Sequence, residues 1–306
     1  MPRQYQFTAI PGIFKDHAQI AKSASDKMVR TQPDLGLLPK EYESDSPKNV
    51  NSSQWERFVG YLTHLNEKSS EGISYKLIYI VRHGTGVHNE VMKAVGDGWR
   101  RTEPNWAFRE GGEVPGVGEA TWVDAKLVEA GMKHAKDLSR FLLDATKDEN
   151  MPLPDTIYTS PLARCLETTK LAYQEVMVAR QKSFQPLVKE LLREKLTGHT
   201  CDKRSSKSWI AENYPDYVIE NGFEEDDRLW EKNRNPAEDD SQVTVRIKRL
   251  LGEIFHNDSS QVIALTTHSY SISAIQRTIS TEPYRVGEGV MVPLLVKAEL
   301  SYEPQD

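Results

Sequence analysis

Stretches of strand length that each end in a cluster of polar groups constrain this chain more than any other feature. Tyr75-Lys76-Leu77-Ile78-Tyr79-Ile80-Val81 runs into Arg82-His83-Gly84, and Val262-Ile263-Ala264-Leu265-Thr266 runs into Thr267-His268-Ser269. A shorter run, Asp155 to Thr159, leads to Ser160-Pro161-Leu162-Ala163-Arg164. Strands that are apolar at successive positions are covered on both faces, as in a parallel sheet packed between helices. Helical periods separate them. Met132, Ala135, Leu138 and Leu142 share a face within Leu127 to Leu143. Pro161 opens a helix running through Leu166, Thr169 and Leu171 towards Val178. Val243, Ile247, Leu250, Leu251 and Ile254 line Ser241 to Phe255, and Ile272, Ile275 and Ile279 mark another helix. Pro186 to Leu192 and Met291 to Leu300 read as further strands. Alternating strands and helices predict an α/β fold, a three-layer sandwich with a mostly parallel central sheet.

The 306 residues suit one elaborated domain, and six tryptophans and twelve tyrosines supply material for its core. The first seventy residues show no sustained period beyond Trp55, Phe58, Leu62 and Leu65, which suggest a short helix. They read as an extension, residues 1–70, packed on a main domain of residues 71–306, with regular structure of that domain starting at Tyr75. Gly86 to Val95 is expected to be helical. Gly96 to Gly118 holds enough glycine and proline to predict a long surface loop, and Glu224-Glu225-Asp226-Asp227 a solvated acidic stretch.

A net charge of −6 and a pI near 5.8 exclude general nucleic-acid binding, which needs a basic footprint. No apolar run approaches the roughly 18 residues that span a bilayer, so no membrane association is expected. Two cysteines, Cys165 and Cys201, make no disulfide framework; a cytosolic or nuclear location is the expectation.

In open α/β sheets, ligands bind outside the carboxyl ends of the strands. Three distant segments therefore converge there. Arg82 and Arg164 are forked cations suited to phosphate, and Gly84 permits close backbone approach. His83 is placed to attack phosphorus through a neutral ring nitrogen, and His268 to stabilise the transferring group. Such a cradle needs no cofactor and no metal. His199, Cys201 and Asp202 invite a metal, but zinc sites bring two compact ligand pairs and no second pair is evident.

The ordered pattern resembles the histidine phosphatase superfamily, the phosphoglycerate-mutase-like proteins. The matching pieces are Arg82-His83-Gly84 with Asn89, Leu127 with Gly131 and Ala135, Ser160-Pro161-Leu162 with Arg164 and Thr168, Leu192-Arg193-Glu194, and His268. The resemblance covers about residues 75 to 300. It implies a phosphoglycerate-mutase-like sandwich in which His83 carries the phosphoryl group, and Arg82, Arg164, His268 and Asn89 hold it. Glu194 would protonate the leaving oxygen, which requires a raised pKa.

Departures from the family pattern bear on substrate. Thr85, Gly86 and His88 replace the residues common after the opening motif, and Glu194-Lys195-Leu196-Thr197-Gly198 lacks the glycolytic mutase string. Those departures make Thr85 and His88 candidates for specificity, and Gly198 to Arg204, which resembles a segment of fungal mutase-like proteins, adds His199, Lys203 and Arg204. Ser269 after the second histidine separates the chain from the acid-phosphatase branch. The expectation is a metal-independent phosphatase acting on a small phosphorylated metabolite, with no protein partner assigned. A phosphoglycerate-type phosphomutase stands second and a non-catalytic interaction module third.

Overall fold

The computed structural model describes residues 4–47, 51–102 and 105–301. Strand β1 (Gln4–Ala9), helix α1 (His17–Ser23) and strand β2 (Met28–Val29) precede α2 (Gln54–Lys68) and the central strand β3 (Ile73–Arg82). Then come α3 (Val87–Thr102), the hairpin β4 (Gly111–Val114) and β5 (Gly118–Thr121), α4 (Glu129–Asp148), β6 (Thr156–Thr159) and α5 (Ala163–Ala179). The chain continues through β7 (Leu187–Val188), α6 (Lys207–Asn213), β8 (Val218–Ile219), α7 (Arg228–Lys232) and α8 (Asp240–Asn257). It ends with β9 (Val262–Thr267), α9 (Ser269–Thr278), β10 (Arg285–Val286) and β11 (Met291–Ser301).

Seven strands form the main sheet in the order β1-β11-β3-β9-β6-β7-β8. From β3 to β8 all pairs are parallel, while β11 runs antiparallel to both β3 and β1. Alternation along β3 builds two cores. Leu77, Tyr79 and Val81 face α2, α4 and α5, packing with Trp55, Phe58, Leu142 and Tyr173. Ile78 and Ile80 face α8 and α9, packing with Leu250, Ile254, Ile272 and Ile275. This is the expected three-layer sandwich, with β3 and β9 side by side at its centre and their carboxyl ends together.

The first seventy residues carry more regular structure than their sequence suggests. β1 closes one edge of the main sheet, although only Phe7 among its six residues is buried. β2 pairs in parallel with β10. One buried residue leaves no alternating pattern to read. The segment 96–118 likewise departs from a plain loop: α3 runs on to Thr102, and β4 and β5 pair antiparallel. Trp106 and Trp122 pack edge to face, 5.6 Å apart, beside Val91, Val95 and Val114, an apolar nucleus spread too widely in sequence to show a period.

The strand expected at 186–192 is cut to Leu187–Val188 and gives way to a 3-10 turn, Glu190–Leu192, because the chain leaves the sheet to bury Arg193. Pro161 precedes α5 rather than opening it. The helix begins at Ala163, whose N–H donates to Asp124 Oδ1 at 2.9 Å.

One contact sets how α4 approaches the end of β3. A Cβ on Gly84 would stand 2.3 Å from the Gly131 carbonyl oxygen, and one on Gly131 would stand 2.1 Å from that of Thr85. Only paired glycines admit this approach. Gly131→Ala is expected to destabilise the protein by about 1–3 kcal/mol through overpacking. Gly60→Ala, on the exposed face of α2 with nothing within 4 Å, should stabilise by up to about 1 kcal/mol. Urea unfolding midpoints of the two variants check the contrast.

Candidate active site

The end of β3 delivers Arg82 and His83, the end of β9 delivers His268, and the first turn of α5 delivers Arg164. The rings of His83 and His268 lie with centroids 5.0 Å apart. His83 Nδ1 is 2.7 Å from the Gly84 carbonyl oxygen. A carbonyl only accepts, so Nδ1 carries the hydrogen and Nε2 keeps its lone pair. Burial, followed by the charges of Arg164 and Arg82, pushes the His83 pKa well below the ordinary imidazole range. Burial and Arg164 do the same to His268, whose Nε2 lies 2.8 Å from Ser160 Oγ. Both rings are neutral at pH 7.

Each arginine is anchored on one side. Arg164, 1% exposed, donates through Nη1 to the Cys201 carbonyl at 2.6 Å and through Nη2 to Asp202 Oδ1 at 2.8 Å, and its Nε has no protein partner. Arg82 donates through Nη1 to the Val286 carbonyl at 2.9 Å and meets Glu288 through Nη2 at 3.4 Å; its Nε is likewise unpartnered. Orphaned buried donors beside two neutral imidazoles make a cluster suited to receiving an anion. Thr168 Oγ1 accepts from Gly84 N–H and donates to the Arg164 carbonyl, tying the two motifs together.

Glu194 joins this group. Its Oε1 accepts from the N–H of Lys195 at 2.9 Å and of Tyr270 at 3.1 Å, which leaves Oε2 to carry a proton. Burial of the carboxyl group and then the Asp202 charge raise its pKa to about 7, against the Lys195 N–H, Arg164 and Arg82. Asp202 was legible only as one member of a metal-ligand trio. Its contact with Arg164 and its effect on Glu194 had no sequence signal, since it lies on an aperiodic turn, Thr200–Asp202.

The segment from Glu190 to Arg204 is held by buried ions. Arg193, fully enclosed, meets Asp227 through two bonds of 2.5 and 2.7 Å and Glu190 at 2.9 Å, and donates to the Asp202 carbonyl. Arg246 donates to the carbonyls of Leu191, Arg193 and Glu194 and pairs with Glu238. Asp227 thus departs from the solvated stretch expected of it, while Glu224, Glu225 and Asp226 are exposed.

The remaining candidates divide. His88 is buried 5.7 Å from the His83 ring, with Nδ1 unpartnered. His199 is half-buried with its ring edge-on to Phe108 at 5.2 Å, and Lys203 Nζ lies 5.2 Å from the Trp230 ring centroid. Asn89 uses its Oδ1 to accept the Gly86 N–H at 2.9 Å, so that oxygen shapes the loop after His83. Two further specificity candidates, Thr85 and Arg204, already have partners within the chain. Thr85 is buried with Oγ1 donating to Glu288 at 2.5 Å. Arg204 is enclosed, stacked 4.1 Å from the Phe223 ring centroid and paired with Glu190. Sequence shows that a residue can bind an anion but not which way it points.

Comparison with known proteins identifies the family. The sequence profile of the histidine phosphatase superfamily (branch 1) matches residues 112–303, and the chain belongs to that superfamily, whose members carry out phosphatase or mutase chemistry. Within it, the chain is related to fungal phosphomutase-like proteins. A protein of Arthroderma benhamiae named "Probable phosphoglycerate mutase" is 33% identical over 304 residues, 98% of this chain and 87% of that relative. A Saccharomyces cerevisiae protein, "Probable phosphoglycerate mutase PMU1", is 29% identical over 271 residues, 82% of this chain and 87% of its own. The solved alpha-ribazole phosphatase of Shigella flexneri is 16% identical, with a TM-score of 0.41 over 72% of this chain and 94% of that one. No helix among the described residues is long and apolar enough to cross a membrane.

Arg193→Met strands Asp227 in the interior and should cost about 3–5 kcal/mol of stability. Adding Asp227→Leu should recover most of that loss. Urea denaturation of the single and double variants checks both.

Proposed function

We propose that this protein is a metal-independent phosphatase that hydrolyses a small phosphorylated metabolite through a phosphohistidine on His83. The observation that carries this reading is the hydrogen bond from His83 Nδ1 to the Gly84 carbonyl, which leaves Nε2 nucleophilic within a pocket of buried, partly unpartnered arginines. Nε2 attacks phosphorus, the ester P–O bond breaks, and Glu194 gives its proton to the departing oxygen. Water then attacks the phosphohistidine, Glu194 takes up the water proton, and phosphate leaves. Arg82, Arg164 and His268 hold the non-bridging oxygens throughout, and the charge of the two arginines with the N–H donors of all three offsets the charge that builds on them. The names of the fungal relatives favour a second reading, a phosphomutase in which the phosphohistidine returns its group to a bound acceptor.

His83→Ala should abolish release of phosphate from an aryl phosphate in the presence of chelator. The wild-type chain, quenched during turnover with labelled substrate, should hold an acid-labile, alkali-stable label. Glu194→Gln should slow alkyl phosphates by about 10²–10⁴ and aryl phosphates, whose leaving group needs no proton, far less. No label on the wild type, with turnover surviving His83→Ala, would refute the reading. Transfer of the label to phosphoglycerate in preference to water would favour the mutase.

The pH profile follows from the same groups. Glu194 works as an acid only while protonated, so turnover should fall as pH rises through about 7. His83 stays neutral to well below pH 6.5, which keeps the rising limb on the acid side. Asp202→Asn removes a negative charge beside Glu194 while Arg164, Arg82 and the Lys195 N–H still favour its anion, so the falling limb should move to lower pH. An unmoved limb in a kcat profile would show that Glu194 is not the titrating acid.

A further inference from the structure

The turn Thr200–Asp202 and the His199 before it gather three unlike donors beside Arg164. One ring nitrogen of His199, Sγ of Cys201 and one carboxylate oxygen of Asp202 lie within 4.8 Å of one another. A tetrahedral zinc ion bonded at about 2.0–2.3 Å keeps its ligands roughly 3.4–3.8 Å apart. Side-chain rotation of about an ångström therefore closes the set, with no change of fold. Thiolate, imidazole and carboxylate together select Zn²⁺ and its relatives over Mg²⁺ or Ca²⁺, which take oxygen alone. His199 is half-buried and opens the trio to solvent, while Cys201 and Asp202 are enclosed behind it.

We propose that His199, Cys201 and Asp202 bind one thiophilic divalent cation of the Zn²⁺ class, with its fourth position open to water. The Cys201 thiol gives its proton to solvent on binding, so thiolate and carboxylate bring two negative charges to the ion. Burial of Cys201 and then the Asp202 charge oppose that ionisation, and the neighbouring guanidinium of Arg164, bonded to the Cys201 carbonyl, favours it. The sequence argument against metal rested on a missing second ligand pair; three donors on one turn with an open position satisfy a regulatory ion without one.

Occupation would reach the catalytic groups through Asp202. Its Oδ1 is the partner of Arg164, and its charge helps keep Glu194 protonated, so a cation on Asp202 slows turnover at and above neutral pH. That coupling rests on the proposed phosphatase function; binding of the ion does not.

Titration of the full chain with Co²⁺ tests the site directly. The expected result is a thiolate-to-cobalt charge-transfer band in the near ultraviolet that saturates at one ion per chain and bleaches when Zn²⁺ is added. It should be absent from Cys201→Ser and retained in Cys165→Ser. Half-saturation should need at least about tenfold more cobalt in His199→Ala. A wild-type chain without the band, or a band that survives Cys201→Ser, overturns the proposal. In turnover, Zn²⁺ should slow the wild type and spare His199→Ala, and equal slowing of both overturns the coupling. A chain with no turnover at all still reports the ion through the band, so failure of the phosphatase reading is told apart from failure of the site.

Discussion

The fork between Arg193 and Asp227 is the interaction on which the rest of the site depends. It lies wholly out of water, where either charge without the other would be costly. Its geometry fixes more than two residues. The same guanidinium holds Glu190 and the Asp202 carbonyl, and the Arg193 carbonyl accepts from Ser271 and Arg246. A segment with almost no regular structure is thereby placed as firmly as a strand, and it carries Glu194 to the amino end of α9.

Around the two imidazoles, charges of both signs balance closely. Arg164 rests on Asp202, and Arg82 rests on the more exposed Glu288, so each cation is paired before any ligand arrives. Such pairing lowers the cost of keeping a guanidinium buried and leaves an Nε on each for an incoming anion. It also gives Asp202 two effects of opposite use: it occupies part of Arg164, and it helps hold the proton on Glu194. Cys165 stands within 3.3 Å of His268 Nε2, and burial pushes its thiol pKa up, so it packs there as an uncharged neighbour.

How much of this was legible in the sequence depends on where each residue lies. β3 and β9 are buried on both faces, and their apolar runs placed Arg82, His83 and His268 at one sheet edge without any structure. The long helices followed from their 3.6-residue period. Asp202 and Glu288 sit on turns without a period, and their partners are 38 and 206 residues away in sequence. Arg204 and Thr85 show the converse limit: their chemistry suits a ligand, and nothing in the sequence pointed to their partners Phe223, Glu190 and Glu288. β1 was hidden because an edge strand with one buried residue looks like any polar stretch, and the hairpin of β4 and β5 because its glycines look like loop.

The place of β11 in the sheet bears on the order in which this protein takes shape during synthesis. β11 separates β1 from β3, so β1 has no sheet neighbour until residues 291–301 have been made. The stretch just before it closes the back of the loop after β3: Gly289 N–H reaches the carbonyls of Arg82 and His83, and the Val286 carbonyl takes Arg82. Pairings this distant in sequence form late and leave earlier strands uncovered meanwhile. One edge of β3, with the loop that follows it, therefore stays uncovered until residues 285–301 have been made. The strand order thus ties completion of the loop after β3 to completion of the sheet.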